Sequence, residues 1–329
     1  MSDQIYVMRP PKSQSRRSGR DLRLLFDEFL EECKYTHHLR SETMRGYTHV
    51  FLLFLKICPD VTLETLSLET MTRFYKTLQT RERVVGRNTI KTGIKDSTID
   101  TYSSKLHKFF EWLVNHKHME QNPLKGVKRA PPVYDDSKIL RKEEIDKLRV
   151  AIEHNQRNLL QVKRDRAMLI TELLTGIRRS ELLGLHVTDI DLERRLLNVR
   201  GETSKSKRTR KIRIVRELLR VLDDYLQERR RHTYTTPFVF VSLTRDRGLS
   251  HDGIKHWVAT LSRRAGVKFH LHQFRHTFAC NAYAACKDPL AIQALLGHNS
   301  LRMTMKYLRS LGAEDFGAAI DGMSVASFM

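Results

Sequence analysis

The sequence predicts a mainly α-helical protein with a small antiparallel β-sheet, built as an all-α domain followed by a larger α+β domain. Three observations carry this expectation. Apolar residues recur at helical spacing over most of the chain. A basic stretch with three prolines, residues 119–137 (MEQNPLKGVKRAPPVYDDS), separates two such regions and has the composition of a linker. Residues 196–215 hold two runs that alternate or are β-branched, as a hairpin requires. At 329 residues the chain is long enough for two hydrophobic cores. Its hydrophobic content of 40% is that of a folded protein.

The elements follow in order. Residues 1–20 are basic, lack the apolar run of a signal peptide and read as a disordered arm. Asp21 is placed to cap a first helix with Leu22, Leu25, Phe26 and Phe29 on one face. Ser41, Ser67 and Ser97 are placed to cap three more, and residues 84–96 between the last two read as a polar loop. Residues 21–118 therefore form a four-helix domain, whose aromatic stripes fall at core spacing rather than on a base-stacking face. After the linker, residues 138–311 open with two helical segments. Gly176 stands where a helix C-terminal glycine belongs, and Ser180 and Glu181 start another helix. Strands are expected at 196–200 and 211–215 around a basic tip, with a third at 238–241. Helices follow from Asp252 to Tyr307, and an amphipathic tail occupies residues 312–329.

Charge narrows the partners. There are 59 Lys and Arg against 38 Asp and Glu, a formal charge of +21 spread along the chain. That is the footprint of a polyanion binder, most often of nucleic acid. The longest apolar clusters are far too short to span a bilayer. Cys33, Cys58, Cys280 and Cys286 show no C-x-x-C spacing, which points to a reducing compartment and no structural zinc.

Within this basic chain, residues 271–308 concentrate chemistry: His272-x-x-Arg275, then Leu296-Gly297-His298, then Tyr307. A phenol beside histidines and an arginine suggests covalent attack on a phosphodiester. The pentacoordinate phosphorus formed there gathers negative charge and needs fixed cations. Arginine suits it, because its planar fork meets two oxygens and stays protonated. Arg178, in the turn of Thr175-Gly176-Ile177-Arg178-Arg179-Ser180-Glu181, is a second candidate, with Glu181 placed to buttress it. Lys205 on the hairpin tip is a flexible donor for a leaving 5′ oxygen; Lys207 and Arg208 compete with it. His270, His272 and His276 form an H-x-H-x-x-x-H pattern without a nearby acidic or cysteine partner, which argues against zinc. Tyr283 is a rival nucleophile in an apolar run that reads as core.

TGIRRSELLGL, HLHQFRHTFA and LLGHNSLRMTMKYL, in that order and with a lysine-bearing hairpin between the first two, resemble the three boxes of the tyrosine recombinase (phage integrase) family. The resemblance covers about residues 140–310, and the preceding helical region is similar in kind to the family's core-binding domain. It implies that Tyr307 is the nucleophile, forming a 3′-phosphotyrosyl bond and releasing a 5′ hydroxyl. Arg178 and Arg275 would clamp the scissile phosphate, His298 would hydrogen-bond it, His272 would assist proton transfer and Lys205 would be the general acid. Because the phosphotyrosine keeps the bond energy, neither metal nor ATP is required. The implied activity is site-specific recombination of double-stranded DNA: integration, excision, inversion or resolution. The implied assembly is a homotetramer on DNA, with accessory directionality proteins as candidate further partners; the amphipathic run of the tail, with Phe316, Ala319, Ile320 and Met323, is expected to dock on a neighbouring protomer. A cytoplasmic, nucleoid-associated protein of a prokaryote, phage or mobile element is expected. A type IB topoisomerase and a non-catalytic DNA-binding protein are the competing readings.

Overall fold

The structure, a computed structural model, describes residues 21–86, 88–127, 139–154, 158–204 and 208–308. The chain divides into two compact units, Met1–Pro132 and Val133–Met329.

In the first unit, α1 (Leu22–Tyr35), α2 (Ser41–Ile57), α3 (Leu68–Thr80) and α4 (Asp96–Asn115) pack around an aromatic core. Asp21 caps α1 by accepting from the Arg23 amide at 2.8 Å, and Ser67 caps α3 through the Thr70 amide. Ser41 and Ser97 do not cap: Arg40 and Lys95 hold the N-cap positions, and each serine lies in the first turn. Phe26 stacks on Phe51 at 3.9 Å between centroids, with the edge of Phe109 at 5.1 Å. These rings and Phe29, Phe54, Phe74 and Phe110 are buried, so the aromatic stripes are core. Residues 119–127, part of the linker stretch, also pack here. Leu124 is buried, and the Asn122 amide donates to the His107 carbonyl.

Residues 84–96 are not simply a loop. β1 (Glu82–Val85) and β2 (Thr89–Thr92) pair antiparallel, with Glu82 opposite Thr92. Every β2 residue is exposed, so no alternation of burial was imprinted on the sequence. Gly93 closes the hairpin at φ 65°, where a Cβ would lie 2.3 Å from the Gln79 carbonyl oxygen.

In the second unit, α5 (Lys142–Glu153) and α6 (Leu159–Thr175) are followed by the short α7 (Arg179–Leu183) and a 3-10 turn at Val187–Asp189. A three-stranded antiparallel sheet comes next, in the order β3 (Ile190–Asp191), β4 (Leu196–Val199), β5 (Arg210–Arg213). Then follow α8 (Arg216–Arg231), α9 (His251–Ala265), α10 (Leu271–Cys286), α11 (Pro289–Leu296) and α12 (Leu301–Leu308). Helix α6 packs against α5, α8 and α10. Its run Ala167–Thr171 is buried on every side, as a central helix must be. Phe238–Val241 does not form the expected strand. Only single bridges pair it, His186 with Phe238 and Val241 with Gly248. The run is apolar because Val239, Phe240 and Val241 fill the core. Its backbone is satisfied piecemeal: the Val239 amide donates to the Leu185 carbonyl, and the Tyr225 hydroxyl donates to the Val239 carbonyl. Among the described residues, no helix is long and apolar enough to cross a membrane.

Candidate active site

Helix α6 stops at Gly176, whose φ of 57° lies in the left-handed region. A Cβ there would lie 2.4 Å from Phe278 Cδ1, so this turn admits only glycine. The turn delivers Arg178 to the N-cap of α7. One turn on, Glu181 is completely buried. It accepts from the Arg178 amide (2.8 Å), Arg178 Nη1 (2.8 Å) and both terminal nitrogens of Arg210 on β5 (3.1 and 2.8 Å). Burial pushes the Glu181 carboxyl up, but the hydrogen bonds and charge of Arg210, with the Arg178 amide, outweigh it and bring it down to about 2. The Arg178 guanidinium also reaches Ser204 Oγ and the Gly297 carbonyl, each at 3.4 Å.

Helix α10 carries His272 and Arg275 one turn apart. Arg275 is 1% exposed. Its Nη1 donates to the Gly176 carbonyl (2.6 Å), and its Nη2 donates to the Leu296 carbonyl (2.7 Å) and to His298 Nε2 (2.9 Å). Burial, and then the neighbouring Arg178 charge, lower Arg275 to about 10, which leaves it protonated at neutral pH. A guanidinium only donates, so His298 Nε2 is an acceptor here. Burial, and then Arg275 and Arg178, hold His298 down at about 3, so the ring is neutral. Its remaining proton therefore sits on Nδ1 and is donated to Thr304 Oγ1 at 2.8 Å.

Tyr307, on α12, is 9% exposed. Its hydroxyl is 3.1 Å from His272 Nε2. Its ring stacks on His298 at 5.2 Å and lies 4.4 Å from the His276 ring, with the Arg275 guanidinium 6.0 Å away. Arg178, Glu181, His272, Arg275, His298 and Tyr307 thus converge from α7, α10, α12 and the two glycine turns. Lys205 and its rival Lys207 lie outside the described residues; Arg208 is exposed. Tyr283 packs against the small cluster of Ala279, Ile292, Leu296 and Tyr307. Among the described residues, no group of three or more His, Cys, Asp or Glu side chains could hold a metal ion. This includes the His270, His272 and His276 pattern.

The sequence did not single out three members of this site. Arg210 is one, hidden among the many basic residues of the hairpin. Thr304 fixes the His298 tautomer. Glu172, one turn before Gly176, is a buried carboxyl whose Oε1 has no hydrogen-bond partner; burial pushes it well above the usual carboxylate range, against the opposing pull of the Arg275 charge. The three arginines, Arg178, Arg210 and Arg275, outnumber the two carboxyl groups, Glu172 and Glu181, so the cluster is net positive in either state of Glu172. Such a site is electrostatically suited to a phosphodiester.

Residues 138–314 match the family model described as "Phage integrase family". Tyrosine recombinase XerC of Proteus mirabilis is 26% identical over 289 residues, covering 87% of this chain and 89% of the relative. Tyrosine recombinase XerA of Pyrococcus furiosus is 36% identical over 218 residues, covering 66% of this chain and 70% of the relative. Among solved structures, the Tn1549 transposon integrase in complex with transposon right end DNA shares the fold, with a TM-score of 0.69 at 16% identity over 90% of this chain and 98% of that one. The family match spans more than half of the 329 residues and contains every residue of the cluster; the chain belongs to the phage integrase family.

Proposed function

We propose that this protein is a tyrosine-type site-specific DNA recombinase that cleaves and rejoins double-stranded DNA through a 3′-phosphotyrosyl intermediate. The observation that carries this reading is the Tyr307 hydroxyl, 3.1 Å from His272 Nε2 and beside the buried Arg275. Tyr307 Oη attacks the scissile phosphorus, its proton leaves towards His272, and the bond to the 5′ oxygen breaks. Lys205 protonates that oxygen, giving a free 5′ hydroxyl. Arg178 and Arg275 hold the non-bridging oxygens as charge develops on them. His298 can donate to the phosphate from Nε2 only after its proton moves from Nδ1, with the Thr304 hydroxyl turning to donate in its place. Rejoining is the reverse, with a new 5′ hydroxyl as nucleophile, so neither metal nor ATP enters the balance. The helical unit at 21–118 adds backbone contacts that make affinity salt-dependent. Four protomers assemble on two duplexes, and the protein works on chromosomal or element DNA in the cytoplasm.

The test uses a nicked duplex library with randomised flanks in the presence of EDTA. The native chain forms adducts that survive denaturation, and sequencing the trapped strands gives the site. Tyr307→Phe binds the selected duplex with similar affinity and traps none. Adducts formed by the Phe variant would mean that another residue attacks. Strand exchange between two copies of the selected site separates recombination from the mere relaxation expected of a topoisomerase.

A further inference from the structure

Three successive carbonyls at the C-terminal end of α11 each accept from a different arginine. The Leu295 carbonyl accepts from Arg210 Nε at 2.9 Å, the Leu296 carbonyl from Arg275 Nη2 at 2.7 Å, and the Gly297 carbonyl from Arg178 Nη2 at 3.4 Å. The last carbonyls of a helix have no partner within it, and they carry the negative end of its dipole. Gly297, with φ at 63°, turns the chain left-handed here and leaves these carbonyls available. A Cβ on Gly297 would lie 3.1 Å from Arg210 Cδ and Nη1, so glycine also makes room for that side chain.

Two of these arginines are the proposed phosphate clamp; the third has no role in it. Arg210 has a side chain only 9% exposed, on the strand that leaves the basic hairpin. Its fork grips both oxygens of the fully buried Glu181, while its Nε holds Leu295. A carboxylate offers about four lone-pair sites. Arg210 makes two hydrogen bonds to them, the Arg178 amide and Nη1 make two more, and the Ser204 hydroxyl also donates to this carboxylate. Without Arg210, the buried carboxylate would lose its two-pronged partner, keep only Arg178 and the neutral Ser204 hydroxyl, and draw the Arg178 guanidinium more tightly on to itself. The end of α11 would also lose the anchor that sets Leu296 and Gly297 in line.

We propose that Arg210 is a positioning residue for the phosphate clamp, fixing where Arg178 and Arg275 point through Glu181 and the end of α11. The inference rests on the recombinase reading above. Lysine cannot substitute, because a point donor cannot hold Glu181 through two nitrogens and Leu295 through a third.

The experiment uses the full chain and a nicked duplex carrying the site selected from the library. Initial rates of adduct formation are measured against DNA concentration for the native chain, Arg210→Lys, Arg210→Ala, Glu181→Gln and the Arg210→Lys/Glu181→Gln double variant. Both Arg210 variants lower the maximal rate about 10- to 100-fold, the scale of a misplaced catalytic contact. The half-saturating DNA concentration stays within about twofold, because the effect lies on the chemical step. The double variant is no slower than its slower parent, since both substitutions break one device. Native-like rates in Arg210→Lys, a loss explained by weaker DNA binding, or losses that multiply in the double variant overturn the inference. If Arg210→Ala fails to fold, Arg210→Lys still decides. A native chain that forms no adduct overturns the recombinase reading itself; a native chain that does, with equally active Arg210 variants, overturns only the role of Arg210.

Discussion

Replacing Glu181 with glutamine tests the electrostatic core of the site. Glu181 is completely buried and accepts four hydrogen bonds from Arg178 and Arg210. Glutamine keeps the shape, removes the charge and turns an N–H₂ group towards guanidinium N–H groups. The depression of the carboxyl from 4.5 to about 2 corresponds to about 3 kcal/mol of stabilisation by ionisation, the low end of the about 3–5 kcal/mol for breaking a buried pair. At about 2–4 °C per kcal/mol for a unit of this size, the Tm of the second unit falls by about 6–12 °C. The pH dependence supplies a second check. At pH values above 4.5 the carboxyl is charged in folded and unfolded chains alike, and the stabilisation is fully present. Below 4.5 the unfolded chain takes up the proton first, so the stabilisation is lost progressively until the folded carboxyl titrates near about 2. Calorimetric melts of both proteins should therefore differ by a constant gap from about pH 8 to 5 that narrows on further acidification. A Tm loss below about 2 °C, or a gap that stays constant down to about pH 3, would refute this account of Glu181.

Two further outcomes are expected. His298 is held at about 3, so between 6.5 and 3 the unfolded chain binds a proton that the folded chain refuses, and stability falls as the pH drops through that window. His298→Asn should flatten the fall between pH 6.5 and 4.5, where Glu181 does not titrate; chemical denaturation giving the same slope as the native chain rules it out. Removing residues 313–329, which lie outside the described residues, should impair synapsis and recombination more than DNA binding. Gel-shift and strand-exchange assays check this, and unchanged synapsis and turnover reject a coupling role for the tail.

Much of the fold was legible in the chain because its cause is local. Apolar residues at helical spacing wrote out α1 to α4, and Asp21, Ser67 and Gly176 marked ends through side-chain and backbone geometry that involve only near neighbours. The β1–β2 hairpin was not legible, since an exposed ribbon buries no face and leaves no alternation. Phe238–Val241 misled for the opposite reason: a short apolar run is demanded equally by a strand and by a core-filling segment.

The same division holds in the site. The sequence by itself determined the chemical types: a phenol, two histidines and two arginines in three boxes, on a chain of charge +21. Residue identity is what a sequence records. Only the tertiary structure decided which partner each one meets. It spent His298 Nε2 on Arg275 and gave the ring proton to Thr304. It shared Glu181 between Arg178 and an arginine 29 residues away, and it buried the Glu172 carboxyl where its charged form is disfavoured. Protonation states and tautomers depend on burial and on charges brought close by long-range packing, and no local pattern encodes those distances.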